Sequence, residues 1–301
     1  MSALRPILNA WLRTFEKRKL RSASPEHVRR NMERQARLLF YAPRSTRLQW
    51  TVLGHVPTLE VTPPKAKPDR VLLYFHGGAF IFGSPNTHKA MVAHLANQIG
   101  ARGVLPRYRL APEHAFPAAS QDARAAWDGL IASGVAPKDI VLGGDSAGGA
   151  LAFGLIGTLC AEGMEMPGAV FGLSPLCDLT FSGDSVATNA AKDVLLPVER
   201  TPDISKLFLC GASENDPSVS PLFARFNGAP PAWITVGDTE ILADDARRLL
   251  TRMHDDGAEA ELVIEHDLPH VWPIFHNVLP EARHTLKILA SWIRQRQGWE
   301  F

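Results

Sequence analysis

Gly144-Asp145-Ser146-Ala147-Gly148 is a Gly-x-Ser-x-Gly run set between an apolar segment, Ile140–Leu142, and a helical pattern, Ala147–Glu162. A strand that turns this tightly into a helix leaves room only for small residues two positions either side of the serine. The turn pushes the hydroxyl out beside the helix N-terminus, whose free N–H groups favour developing negative charge. Ser146 is therefore a candidate nucleophile toward an acyl carbon. A second glycine-bearing turn, His76-Gly77-Gly78-Ala79, follows the apolar run Val71–Phe75. Glycines let the backbone approach a substrate oxygen closely. The N–H groups of Gly77, Gly78 and Ala147 are the expected oxyanion donors, and His76 is expected to brace the loop. Phe80 and Phe82 either line a substrate pocket or pack in the core.

A serine nucleophile needs a general base, and the base needs a carboxylate to orient it. With the chain order serine, acid, histidine, the acid should follow a late strand. Asp238 and Glu240 follow Ala232–Val236, and Asp267-Leu268-Pro269-His270 follows Glu261–Ile264. His270 is the leading base, with His266 and His276 as alternatives. Asp238 and Glu240 both remain candidates for the acid. No zinc-type histidine spacing is present, so neither a metal nor an organic cofactor is expected.

These residues need a rigid frame. Strand-length apolar runs are expected at Leu48–Leu53, Val56–Val61, Val71–Phe75, Gly103–Leu105, Ile140–Leu142, Ala169–Leu173, Ala232–Val236 and Glu261–Ile264. Helical patterns stand between them at Ala90–Ile99, Ala118–Ser133, Ala147–Glu162 and Ile241–Asp256, with Gly100, Gly134, Gly163 and Gly257 placed to end them. This alternation predicts an α/β fold with a mostly parallel sheet covered on both faces. Residues 1–42 read as helical, with Ser24 as N-cap, Pro25 at the first helical position and Pro43 as the stop. Residues 177–205 are polar and lack clear periodicity, which marks an insertion that could pack on the N-terminal helices as a lid.

The sequence resembles the bacterial hormone-sensitive lipase-like carboxylesterases from about Val71 to His270. The blocks that carry the likeness are His76-Gly77-Gly78-Ala79-Phe80, Tyr108-Arg109-Leu110-Ala111-Pro112-Glu113, Gly144-Asp145-Ser146-Ala147-Gly148-Gly149, Ser174-Pro175 with Asp178-Leu179, Asp216-Pro217 with Ser220-Pro221, Pro230-Pro231, and Leu268-Pro269-His270. The resemblance implies an α/β-hydrolase fold with a small helical cap. Its parts would be a cap segment at 1–45, core at 46–176, a cap insertion at 177–205 and the rest of the core at 206–301. It also implies an esterase acting on short- to medium-chain carboxylic esters through an acyl-enzyme on Ser146, and a homodimer through the last sheet edge. Where much of the family has Asp-Pro-Leu-x-Asp, this chain has Glu240-Ile241-Leu242-Ala243-Asp244, so the acid role falls on Glu240. The oxyanion motif has Ala79 where a third glycine is usual.

With 301 residues, 46% of them hydrophobic, 21% charged and a net charge of +1, no global field selects nucleic acid. The Arg-rich run from Arg13 to Arg37 reads as a solvated helix face, with a membrane surface as the alternative. No apolar run is long enough for stable membrane insertion. Cys160, Cys177 and Cys210 form no Cys-x-x-Cys pair and are expected to be small buried residues in a reduced, cytoplasmic setting. The competing readings are an amidase or deacetylase with the same triad, and a non-catalytic small-ligand receptor.

Overall fold

The computed structural model describes residues 2–300. The chain opens with α1 (Leu4–Trp11), which passes through one π-helical turn, Leu12–Glu16, into α2 (Lys17–Ser22); α3 spans Pro25–Leu39. The Ser24 hydroxyl accepts from the His27 N–H, and Pro25 fills the first helical position, where no N–H is needed. This helix stops ahead of Pro43, because the Tyr41 N–H turns away to Asn277 Oδ1 (2.7 Å). Then follow β1 (Arg47–Leu53), β2 (Val56–Thr62), β3 (Val71–Phe75), α4 (Pro85–Ile99), β4 (Arg102–Pro106), α5 (Ala118–Ala132), β5 (Ile140–Asp145), α6 (Ala147–Glu162) and β6 (Ala169–Leu173). The last part holds α7 (Asp184–Thr188), α8 (Thr201–Leu209), β7 (Ala232–Gly237), α9 (Ala243–Asp255), β8 (Ala260–Glu265) and α10 (Pro280–Gln297).

The strands form one sheet, eight-stranded among the described residues, in the order β1-β2-β4-β3-β5-β6-β7-β8. Only β2 runs antiparallel to its neighbours; the strands from β4 to β8 pair parallel. β3, β5, β6 and β7 are buried throughout, as expected for strands covered on both faces. Their alternate residues feed two cores. Leu73 and Phe75 join the cluster that includes Trp127, Phe153 and Leu249, under α5, α6 and α9. Leu72 and Tyr74 join the cluster that includes Met91, Leu286 and Ile293, under α4 and α10. Each fully buried side chain of this size contributes about 1.5–3 kcal/mol.

Several boundaries differ from expectation, and three of the differences have a local cause. α4 starts at Pro85, not Ala90, because Ser84 and Thr87 form a capping box. α9 starts at Ala243, not Ile241, because residues 240–242 belong to the turn after β7. The insertion expected to end at 205 carries α8 on to Leu209, where Phe208 is fully buried and stacks on Phe80 at 3.9 Å. Of the cysteines, Cys177 is buried and Cys160 half-buried, but Cys210 is exposed.

The N-terminal helices are fastened to both the core and the insertion. Arg29 donates to the carbonyls of Ile81 and Ala111, 2.7 Å each, and pairs with Glu113 at 2.7 Å. Lys17 donates to the carbonyls of Ala190 (3.0 Å) and Asp193 (2.6 Å) in the insertion.

Candidate active site

Ser146 stands between β5 and α6 with φ 50° and ψ −122°, a sparsely populated backbone conformation for a side-chain-bearing residue. Its N–H donates to Leu173 O and its carbonyl accepts from the Leu176 N–H, both at 3.0 Å, so the end of β6 and the segment after it hold the turn in place. The flanking glycines are required by close approach. A Cβ on Gly144 would lie 2.2 Å from Gly148 O, and one on Gly148 would lie 2.0 Å from Phe75 O.

Glu240 and His270 come from the turns after β7 and β8. Glu240 Oε2 lies 2.6 Å from His270 Nδ1, with both side chains buried. The other carboxylate oxygen accepts from the Gly237 N–H (2.6 Å) and the Ser174 hydroxyl (2.8 Å), and Ser174 in turn accepts from the Val271 N–H (3.2 Å). Burial pulls the His270 imidazole down, but Glu240, with Asp193 and Asp145 farther off, holds it above the ordinary histidine value. Two of the three alternatives pair with each other. Asp238 accepts from His266 at 2.7 Å in a surface pair, and His266 is 68% exposed. His276 packs against His94 and Phe40; burial and the neighbouring His94 push it down to about 4.

The oxyanion loop differs from expectation at one donor. The Gly77 N–H donates to Asp145 Oδ1 at 3.0 Å and is spent. The same carboxylate accepts from Tyr74 Oη (2.7 Å) and pairs with His88 (3.3 Å), all buried. The N–H groups of Gly78, Ala79 and Ala147 have no hydrogen-bond partner among the described residues. Gly78 and Ala79 both have positive φ, 122° and 54°, which turns the loop after Gly77. His76 braces this loop: its Nδ1 lies 2.8 Å from Gly77 O, and Tyr108 Oη donates to its carbonyl at 2.7 Å. Burial and the nearby His88 push the His76 imidazole down to about 3, so it is neutral at pH 7. Phe80 is core, not pocket: it is fully buried against Phe208. Phe82 does line the cavity described next.

Ser146, His270, Gly78 and Ala79 open onto a cavity of about 250 Å³. Its walls come from the N-terminal helices, including Trp11 and Val28, and from the insertion, including Leu196, Ile204 and Leu207. Among the described residues no group of three or more His, Cys, Asp or Glu is arranged to hold a metal ion.

A profile of the alpha/beta hydrolase fold family matches residues 72–274. An acetyl-hydrolase of Streptomyces hygroscopicus is 35% identical over 246 residues, 82% of each chain. An esterase of Acinetobacter venetianus is 33% identical over 228 residues, 75% of each chain. The crystal structure of an esterase from the bacterial hormone-sensitive lipase family matches with a TM-score of 0.93 at 35% identity, covering 99% of both chains. The chain belongs to the hormone-sensitive lipase family of α/β-hydrolases.

In this hormone-sensitive lipase-family site, several residues escape sequence reasoning. Ala79 is overlooked because it is not glycine, although its backbone supplies a free donor. Ser174 is legible only as part of a Ser-Pro block. Asn189 Nδ2 donates to the carbonyls of Asp238 (3.0 Å) and Glu240 (2.9 Å), and Asp193 Oδ2 accepts from the Ile241 N–H (3.0 Å). Both lie in the insertion, far in sequence from the Asp238–Ile241 turn they support. Within the Tyr108–Glu113 block the polar residues take separate partners: Arg109 pairs with Asp122, Glu113 with Arg29, and Tyr108 with His76.

Proposed function

We propose that this carboxylic ester hydrolase cleaves short- to medium-chain esters through an acyl-enzyme on Ser146, with Glu240 and His270 completing the triad. The carrying observation is the buried Glu240–His270 pair, which opens on the same cavity as the strained Ser146 turn. His270 Nε2 takes the Ser146 proton as Oγ bonds to the ester carbonyl carbon. Glu240 holds the proton on Nδ1 and stabilises the imidazolium that forms. The carbonyl oxygen, now an oxyanion, accepts from the N–H groups of Gly78, Ala79 and Ala147; each such donor is worth about 2.7–4 kcal/mol to the transition state. The C–O bond to the alcohol breaks as His270 returns the proton to the leaving oxygen. Water then attacks the acyl-enzyme by the same proton path, releasing the acid and restoring Ser146.

The cavity volume supports the chain-length reading. At about 250 Å³ it falls below the roughly 300–1,000 Å³ of pockets that take drug-sized ligands. Its largely apolar walls suit a hydrocarbon acyl chain. The test is acid-quenched turnover of p-nitrophenyl butyrate followed by peptide mass spectrometry. A butyryl mass on the peptide bearing Ser146, absent from folded Ser146→Ala, is the expected result. Turnover that survives in Ser146→Ala would overturn the mechanism.

A further inference from the structure

The N-terminal part of the chain carries a charge that the remainder opposes. Residues 1–47 hold twelve Lys and Arg against three Asp and Glu, net +9; the other residues hold 20 against 28, net −8, within a whole-chain charge of +1. Of those three carboxylates only Glu26 is exposed. Arg18, Arg30, Arg34, Arg37, Arg44 and Arg47 are exposed and have no side-chain partner among the described residues. Arg30, Arg34 and Arg37 recur at i, i+4 and i+7 and so form one stripe along α3.

Apolar side chains lie with these cations. Fourteen large apolar side chains are exposed among the described residues, and six of them fall between Leu4 and Tyr41. Ile7 is 66% and Leu38 68% exposed. The start of α1 and the end of α3 rest on one stretch of chain. Ser2 Oγ donates to Glu281 (2.9 Å), Asn9 to Asp267 O (3.0 Å), Tyr41 N to Asn277 (2.7 Å), and the rings of Phe40 and Phe275 meet at 6.1 Å. That stretch exposes Val278 as well. Scattered exposed apolar residues are ordinary. Their gathering among unpaired arginines is the composition of a surface that sits in a lipid headgroup layer.

We propose that this face of the cap docks on an anionic lipid–water interface, its arginines on headgroup phosphates and its apolar side chains between them. Leu39 links the face to the active site, since it is 43% exposed and also lines the cavity. Docking would thus bring the cavity to the lipid. Nucleic acid would use the arginines but leave Ile7 and Leu38 without a purpose.

The test measures co-sedimentation with vesicles of neutral phosphatidylcholine and with vesicles holding about one-third phosphatidylglycerol. Binding at least about tenfold tighter to the anionic vesicles, and weakened by about 0.5 M salt, is expected. The triple variant Arg30→Glu/Arg34→Glu/Arg37→Glu should lose at least about tenfold of that binding. Ile7→Ser/Leu38→Ser should weaken it as well, with turnover of a water-soluble ester unchanged in both variants. Ser146→Ala should bind like the parent, so docking is judged apart from the chemistry. Equal weak binding to both vesicles overturns the proposal. So does binding that the apolar variant leaves intact while duplex DNA competes it away, or self-association that the arginine variant abolishes.

Discussion

Replacing Glu240 by Gln asks the most of the site with the least change of shape. Oε2 of Glu240 faces His270 Nδ1 at 2.6 Å, while Oε1 accepts from Gly237 N and Ser174 Oγ at 2.6 and 2.8 Å. A glutamine must put its NH2 on one side. Facing Gly237, it sets donor against donor and leaves a buried N–H unmet, at about 1–3 kcal/mol. Facing His270, it forces Nδ1 to accept, which moves the proton to Nε2, where it cannot take the Ser146 proton. The second arrangement keeps the fold and loses the base. The expected loss in kcat/KM is about 10³–10⁴-fold, or about 4–5.5 kcal/mol. The acid limb of the pH profile adds a signed check. His270 must be neutral to act, and Glu240 is the main influence raising it. In the parent the limb should lie above 6.5, the unperturbed histidine value. With the carboxylate gone and burial remaining, the limb should move down in the residual activity. Asp238→Asn, at the surface pair with His266, should change kcat/KM by less than about threefold. Steady-state hydrolysis of p-nitrophenyl butyrate, with thermal melts to show folding, reads all three. A Glu240→Gln enzyme keeping more than about a tenth of parental activity, or an Asp238→Asn enzyme as damaged as it, would refute the reasoning.

Other outcomes follow from single contacts. Gly148→Ala sets a Cβ 2.0 Å from Phe75 O and should destabilise by about 3 kcal/mol, lowering Tm by about 6 °C; a melt within about 1 °C of the parent contradicts the close approach. Asp245 is fully buried, its Oδ1 lacks a partner among the described residues, and burial raises its pKa to about 7. The folded state therefore keeps a proton that the unfolded chain loses near 3.8, so this stability is complete below 3.8 and is lost as pH rises through about 7. Asp245→Asn should gain stability relative to the parent by a few kcal/mol, roughly, between pH 4 and pH 8 in urea titrations, and a constant difference would contradict the shift. The unpaired edge of β8 should support a homodimer, measured by light scattering on the size-exclusion peak; a monomer across the tested concentrations rules it out.

The central strands were legible because β3, β5, β6 and β7 are short, fully buried runs that alternate with glycine-ended helices. The Ser146 turn was legible from its Gly-x-Ser-x-Gly spacing alone, although only Gly144 answers crowding within four residues and Gly148 answers Phe75, far back in the chain. Legibility fails where a distant group decides. Gly77 reads as an oxyanion donor until Asp145, 68 residues on, takes its N–H. Phe80 reads equally as pocket or core until Phe208 closes over it. Asp238 and Glu240 differ by two positions in one turn, and periodicity does not say which carboxylate faces His270; the one that lies 2.6 Å from His270 Nδ1 is Glu240. The early start of α4 was readable, since Ser84-Pro85 repeats the Ser24-Pro25 signal at α3.

The bonds from Lys17 to the 190–193 backbone, and from Asn189 and Asp193 to residues 238–241, have a consequence for engineering. The cap does not behave as a detachable module. One chain of contacts runs from the second helix through the insertion to the turn that carries Glu240. A chimera that imports another cap to change substrate range also imports new supports for Glu240. Its turnover number, and not merely its selectivity, would then depend on whether the donor's insertion offers that turn the same amide and carboxylate.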